Sequence, residues 1–113
     1  MYVFSSTVDA SAGGTTYSKP YIVDAGQNPC NIGIGITTAG SAECTIQHTF
    51  SDPFTTNLGV DTNGIWINNS TVTSAAGNQV TNYAFPCRAI RLALHAATSA
   101  QAIFNVVQSS HGA

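Results

Sequence analysis

Charge is what this chain has least of. Of its 113 residues only 7% are Asp, Glu, Lys or Arg, against about 25% in ordinary soluble domains. The cations are Lys19, Arg88 and Arg91. Three cations cannot track a phosphate backbone, because binding strength follows the number of phosphates neutralised. Nucleic acid is therefore excluded as the expected partner. No run approaches the ~20 apolar residues of a membrane-spanning helix, so no membrane partner is expected. The segment Met1-Tyr2-Val3-Phe4-Ser5 has neither a basic stretch nor a long apolar one, so no signal peptide is visible. The three cysteines, Cys30, Cys44 and Cys87, are odd in number, so at least one has no partner within the chain. Free thiols are expected. Helix-period apolar spacing is also missing, which leaves strands as the dominant element.

Hydrophobic residues make up 43% of the chain, enough for one modest core at this length. With so few charges, the polar surface has to come from Thr, Ser, Asn and Gln. A weakly charged surface has little repulsion to keep copies apart. That suits a protein packed against copies or partners, and equally an extracellular β-domain.

The strongest local signal is Cys30-Asn31-Ile32-Gly33-Ile34-Gly35-Ile36. Three Ile two apart place their bulk on one face of a strand, and Gly33 and Gly35 leave the other face nearly bare. The bare face either seats a neighbour at close approach or lies under another strand of the same domain. A second alternating run follows from Cys44 to Phe50. The spacing predicts a hairpin of strands 30–38 and 42–50 turning at Gly40. Its inward set is Cys30, Ile32, Ile34, Ile36, Cys44, Ile46, His48 and Phe50, and its outward row is Glu43, Thr45, Gln47 and Thr49. A second hairpin is predicted from Cys87–His95 and Gln101–Gln108, turning near Thr98-Ser99. Leu94 then faces Phe104 and Leu92 faces Val106. Ile90 joins the inner face, and Arg91 and His95 point outward.

Shorter strands are expected at Pro20–Asp24, Ile65–Ile67 and Val80–Phe85. Gly13-Gly14 marks a turn in a flexible N-terminal arm over 1–19, and residues 109–113 form a frayed tail. Asn68 to Asn78 reads as a polar loop. The expected fold is all-β: one domain over 1–113, an antiparallel β-sandwich of six to eight strands, jelly-roll-like or Ig-like.

Catalytic patterns are weak. His48, Ser51 and Asp52 lie close in sequence, but no nucleophile elbow holds a serine against the histidine. His48, His95 and His111 show no metal-ligand spacing. Asp61-Thr62-Asn63-Gly64 begins like a calcium loop but has Val72 where the bidentate glutamate belongs. Gly33-Ile34-Gly35 lies within a strand, not before a helix, so it is no dinucleotide fingerprint. No enzyme, no cofactor and no metal site is expected. The candidate interface residues are Tyr2, Phe4, Trp66, Tyr83, Arg88 and Arg91, since aromatic residues and arginine anchor protein contacts. In so uncharged a chain, Arg88 and Arg91 are each expected to pair with a carboxylate in this chain or a neighbouring one.

Two segments carry a resemblance. Asn31-Ile32-Gly33-Ile34-Gly35-Ile36 through Ile46-Gln47-His48-Thr49-Phe50-Ser51-Asp52, and Asn82-Tyr83-Ala84-Phe85-Pro86-Cys87-Arg88-Ala89-Ile90-Arg91-Leu92, resemble a pattern in small virion proteins of tailed bacteriophages. Capsid decoration (cement) proteins of about this length are the most similar class. The resemblance implies a β-sandwich made in the host cytoplasm that binds the outer surface of an assembled capsid. Its partners would be the major capsid protein and itself, as a homodimer or homotrimer. The N-terminal segment and the 55–79 region are the expected capsid contacts. The rival reading is a receptor- or glycan-binding module of a head or tail fibre, with Trp66 and Tyr83 stacking on a sugar. A tail-tube or connector protein is a further one.

Overall fold

The computed structural model describes residues 2–10, 14–24, 26, 30–50, 54–55, 59–60, 66–96 and 99–109. They form twelve strands: β1 (Tyr2–Ala10), β2 (Gly14–Tyr17), β3 (Tyr21–Ile22), β4 (Ile32–Ala39), β5 (Ala42–Thr49), β6 (Phe54–Thr55), β7 (Gly59–Val60), β8 (Ile67–Asn68), β9 (Ala75–Ala76), β10 (Gln79–Tyr83), β11 (Ala89–Ala96) and β12 (Ala100–Gln108). Among the described residues there is no helix. One sheet has the order β1-β12-β4-β10. The other has the order β2-β11-β5-β8, with β3 also on β11 and β9 also on β5. All pairings are antiparallel. The two layers enclose one core, and the fold is an antiparallel β-sandwich. The strands β6 and β7 pair only with each other.

Both predicted hairpins are corrected by the pairing. The strand β4 bonds β12 and β10, while β5 bonds β11, β8 and β9, so β4 and β5 lie in different sheets. The same holds for β11 and β12. Cys44 therefore pairs with Leu94, and Phe104 with Ile36. What looked like two hairpins is one long ribbon folded over in the middle. Its lower half runs from Ile32↔Gln108 to Ala39↔Gln101, and its upper half from Ala42↔Ala96 to Thr49↔Ala89. At the fold, Ala39 faces Gln101 and Ala42 faces Ala96, with residues 40–41 between Ala39 and Ala42.

The other chain segments bend at the same level. Between β1 and β2 the chain crosses from one layer to the other beside the β12–β11 crossing, and between β9 and β10 it does so beside β5–β4. Eight of the strands thus form four antiparallel ribbons, each divided between the two layers. Glycines at two of these bends take left-handed backbone, Gly40 with φ 92° and Gly77 with φ 79°. Such angles are easy for glycine and costly for L side chains. At Gly40 a side chain is excluded by space as well. An added Cβ would sit 3.2 Å from the Ala100 Cβ and 3.2 Å from the Ser99 carbonyl oxygen.

The core follows the alternation seen in the sequence. Ile32, Ile34 and Ile36 face inward with Phe104, Val106, Cys44, Ile46, Leu92 and Leu94. Two members of the predicted face behave otherwise. Phe50 is 54% exposed, because β5 ends at Thr49. Thr49, predicted outward, is fully buried, and its carbonyl accepts the Arg88 N–H at 2.8 Å. The N-terminal segment holds two strands: β1 pairs along its whole length with β12, and β2 with β11. Only Ser109 of the predicted tail lies among the described residues.

The polar stretch 68–78 also holds structure. Asn69 Oδ1 accepts the N–H groups of Thr71 and Val72 at 2.8 and 3.0 Å, an Asx turn. Ile46 N–H donates to the Val72 carbonyl and Asn69 N–H to the Ile46 carbonyl, at 2.9 and 2.7 Å. This local turn buries Val72 completely. All three cysteines are free and buried. Desolvation, with Cys30 nearby, pushes the Cys87 thiol up to about 12, so it stays protonated at neutral pH.

Candidate functional site

Three surfaces gather the residues able to make specific contacts. The first is the outer face of the β1-β12-β4-β10 sheet. Register places its side chains in cross-strand rows: Val3–Val107–Gly33–Asn82, Ser5–Asn105–Gly35–Val80, Thr7–Ile103–Thr37 and Asp9–Gln101–Ala39. Val3 is 74% and Val80 81% exposed, with Val107 and Ile103 also open. The only ionisable side chain in these rows is Asp9, at one end, where its Oδ1 accepts from Gln101 Nε2 at 2.9 Å. Gly33 and Gly35 make a bare strip between the valines. At Gly35 an added Cβ would meet nothing within 4 Å, and at Gly33 only the Val107 carbonyl oxygen at 3.9 Å. No described part of this chain lies over the strip, so the chain's own packing does not call for glycine at either position.

The second surface lies on the opposite sheet. The Arg91 guanidinium sits between two rings, 4.0 Å from the centroid of Tyr17 and 4.2 Å from that of Trp66. Its Nε donates to Gln47 Oε1 at 2.8 Å, and Gln47 Nε2 donates to Asn68 Oδ1 at 2.9 Å. Among the described residues Arg91 thus binds an amide and two aromatic faces. The cause is register, since Arg91 is directly opposite Gln47 on β5. Tyr17, half exposed on β2, was not among the sequence candidates. A lone tyrosine in a Thr/Ser-rich stretch has no pattern to mark it. Replacing Arg91 by Lys is expected to lower stability by about 0.5–2 kcal/mol, since an ammonium cannot stack on both faces as the planar guanidinium does. Trp66 is the single tryptophan, so the same variant should shift its fluorescence emission to longer wavelength.

The third surface is an aromatic cluster at the end of β5 and β10. His48 lies edge-on to Phe50, Tyr83 and Phe85, with centroids 5.5, 5.1 and 5.5 Å away. The phenol of Tyr83 is 2.8 Å from His48 Nδ1. Tyr83 is only 1% exposed, and desolvation raises its phenol to about 12. It is a core residue, so it cannot stack on a sugar beside Trp66. Burial lowers the pKa of His48 below its ordinary value of 6.5. Above that ordinary value the ring is neutral in both folded and unfolded chains. As pH falls through about 6.5, the unfolded chain takes the proton first, and stability declines until the folded ring titrates too. Thermal melts between about pH 7.5 and 5 should show this decline, and His48→Gln should flatten it.

The remaining sequence candidates divide by position. Tyr2 bonds Asp24 Oδ2 through its hydroxyl at 2.8 Å. Phe4 packs on Tyr21 and Phe104, with centroids 5.5 and 6.0 Å away. Arg88 is exposed beside the start of β11. Ser51, Asp52, His111 and the Asp61–Gly64 turn lie outside the described residues, and no group of three His, Cys, Asp or Glu capable of holding a metal occurs among the described ones. Comparison with family models, characterised proteins and solved structures finds no match to this chain.

Proposed function

We propose that this chain is a structural virion protein of the capsid-decoration kind. It binds the outside of an assembled phage capsid, as a homo-oligomer, and reinforces contacts between capsid subunits. The observation that carries this reading is the glycine strip. Exposed glycine in a strand weakens it by roughly 0.5–1 kcal/mol relative to alanine, and nothing in the described chain compensates at Gly33 or Gly35. A surface that approaches the strip at backbone distance supplies the missing reason. The flanking Val3, Val80, Val107 and Ile103 are exposed and apolar, the composition of an interface core depleted in charge. The resemblance of the Asn31–Asp52 and Asn82–Leu92 segments to phage virion proteins supplies the kind of partner, the major capsid protein. Repeated weak contacts to several subunits then add through effective concentration, and binding only the assembled shell stabilises it by mass action.

The test is co-sedimentation with capsids that lack the protein. Saturable binding at a fixed copy number per shell, with a raised particle melting temperature, is the expected result. Gly35→Val should fold normally yet bind at least about tenfold more weakly, since it fills the strip. Absence of binding to intact shells refutes the reading.

A glycan-binding module of a fibre is favoured by a different observation, the Tyr17–Arg91–Trp66 stack beside Gln47 and Asn68. Aromatic faces next to side-chain amides are how sugar rings and hydroxyls are held. Binding to a panel of bacterial surface glycans, lost in Trp66→Ala, would move the assignment there.

A further inference from the structure

We propose that two copies of this chain pair edge to edge through β1, antiparallel about a two-fold axis at Ser6, making one continuous eight-stranded sheet. The inference deepens the homo-oligomer part of the function proposed above by naming its contact, and it is tested without capsids.

The argument begins with the edges of the folded sheet. Of the six described strands at an edge of these two sheets, four are very short: β2 has four residues, β3, β8 and β9 two each. The strand β10 has five. By contrast β1 has nine, and among the described strands only β12 bonds it. Its register to β12 runs unbroken from Tyr2↔Gln108 to Ala10↔Ala100, with no bulge. Natural proteins guard such edges with lysine, proline, bulges or brevity. The sequence of β1, YVFSSTVDA, has no lysine, arginine, proline or glycine. From Val3 to Ala10 no other described strand bonds its outer row of backbone N–H and C=O groups, which can serve as a template for another strand.

The sequence of β1 also suits a second copy of itself. With Ser6 opposite its own counterpart, inward-facing Phe4 lies beside Val8 of the other copy, and Tyr2 beside Ala10. Large residues then meet small ones on the core side, where Phe4 is only partly buried. On the outer side Ser5 meets Thr7, two β-prone hydroxyl residues. The one charge, Asp9, falls opposite Val3, so the two Asp9 carboxylates sit at opposite ends of the seam. An isologous contact of this kind closes as a dimer.

Sedimentation velocity over a concentration series on the isolated protein tests the proposal. The native chain is expected to be a dimer in equilibrium with monomer. In the double variant Ser5→Lys/Thr7→Lys, like charges oppose each other twice across the seam, and the dissociation constant should rise by about tenfold or more. In Ser5→Lys/Thr7→Glu each Lys meets a Glu of the other copy, and dimerisation should return. Both exposed positions leave the monomer core untouched, and circular dichroism checks that each variant is folded. A native chain that stays monomeric, a trimer, or a dimer indifferent to both variants overturns the proposal. Capsid binding by a monomeric protein would leave the decoration reading standing and this one refuted.

Discussion

Phe104→Ala is expected to lower stability by about 3–5 kcal/mol and the melting temperature by roughly 12–20 °C. Phe104 sits in β12, a strand bonded on both sides in its sheet, by β1 and β4. It is fully buried and meets the ring of Phe4 edge-on, with centroids 6.0 Å apart. The surrounding residues are strand-bound Ile and Val side chains that cannot slide into the space left behind. The cost therefore combines lost transfer energy with an unfilled cavity. Phe104→Leu keeps much of the volume and should cost less than half as much. Chemical denaturation of both variants, compared at equal m-value, measures the difference. Equal losses for Ala and Leu would mean that edge-on ring contact, not volume, dominates at this site.

Replacing Gln108 by Leu is the second large effect, at about 2–4 kcal/mol. Gln108 is fully buried at the end of β12, where a glutamine needs partners for its whole amide. It has them. Tyr21 hydroxyl donates to Oε1 at 2.6 Å and Asp24 N–H donates to Oε1 at 3.1 Å. Nε2 donates to the Asp24 carbonyl at 2.9 Å. Asp24 in turn accepts from Tyr2 through Oδ2 at 2.8 Å and from Gly26 N–H through Oδ1 at 3.1 Å. One side chain thus ties the end of β12 to the segment following β3, and Asp24 extends the tie to β1. Leucine of similar volume would strand a hydroxyl, an N–H and a carbonyl together, each a desolvated group without a partner. Tyr21→Phe removes one donor and leaves Gln108 its other bonds, so about 1 kcal/mol is expected. The double variant should cost less than the sum, since the two residues share a bond.

The sequence revealed the two faces of each strand better than it revealed which strands are neighbours. Alternation at Ile32, Ile34, Ile36, Leu92, Leu94, Phe104 and Val106 identifies the buried face whatever the partner, because burial acts on each strand separately. Pairing is a relation between distant segments, and nothing local distinguishes a hairpin turn from a fold between layers. Gly13-Gly14, Gly40 and Thr98-Ser99 were legible as turns, but that the neighbouring strands there lie in different layers was not. Small residues at the main bend, Ala39-Gly40-Ser41-Ala42 against Ala96 and Ser99-Ala100, are the one cue that the backbone must turn sharply there with another backbone alongside. The candidate surfaces were partly visible. Gly33 and Gly35 announced a bare strip, and Trp66 and Arg91 were singled out separately. Tyr17 joins them only because β2 and β5 both border β11. Tyr83 misled because an aromatic residue next to Phe85 and a proline reads as a surface anchor, whereas it is buried and its hydroxyl meets His48 Nδ1 inside the fold.

The order of the strands also dictates when the protein can finish folding. Tyr2 pairs with Gln108 and Ala10 with Ala100, so β1 waits for β12, made about ninety residues later. The ribbon at the centre of the sandwich likewise joins residues 32–49 to 89–108. Few contacts are local, and each pairing must close a long loop before it returns any energy. High contact order of this kind places folding in roughly the millisecond-to-second range. During synthesis the nascent chain carries β1, β4 and β5 with no β11 or β12 to cover them. The scarcity of charge that suits the finished surface is then a liability, since little repulsion separates one incomplete chain from the next. Late pairing of β12 with β1 and β4 is therefore the step that covers an association-prone chain.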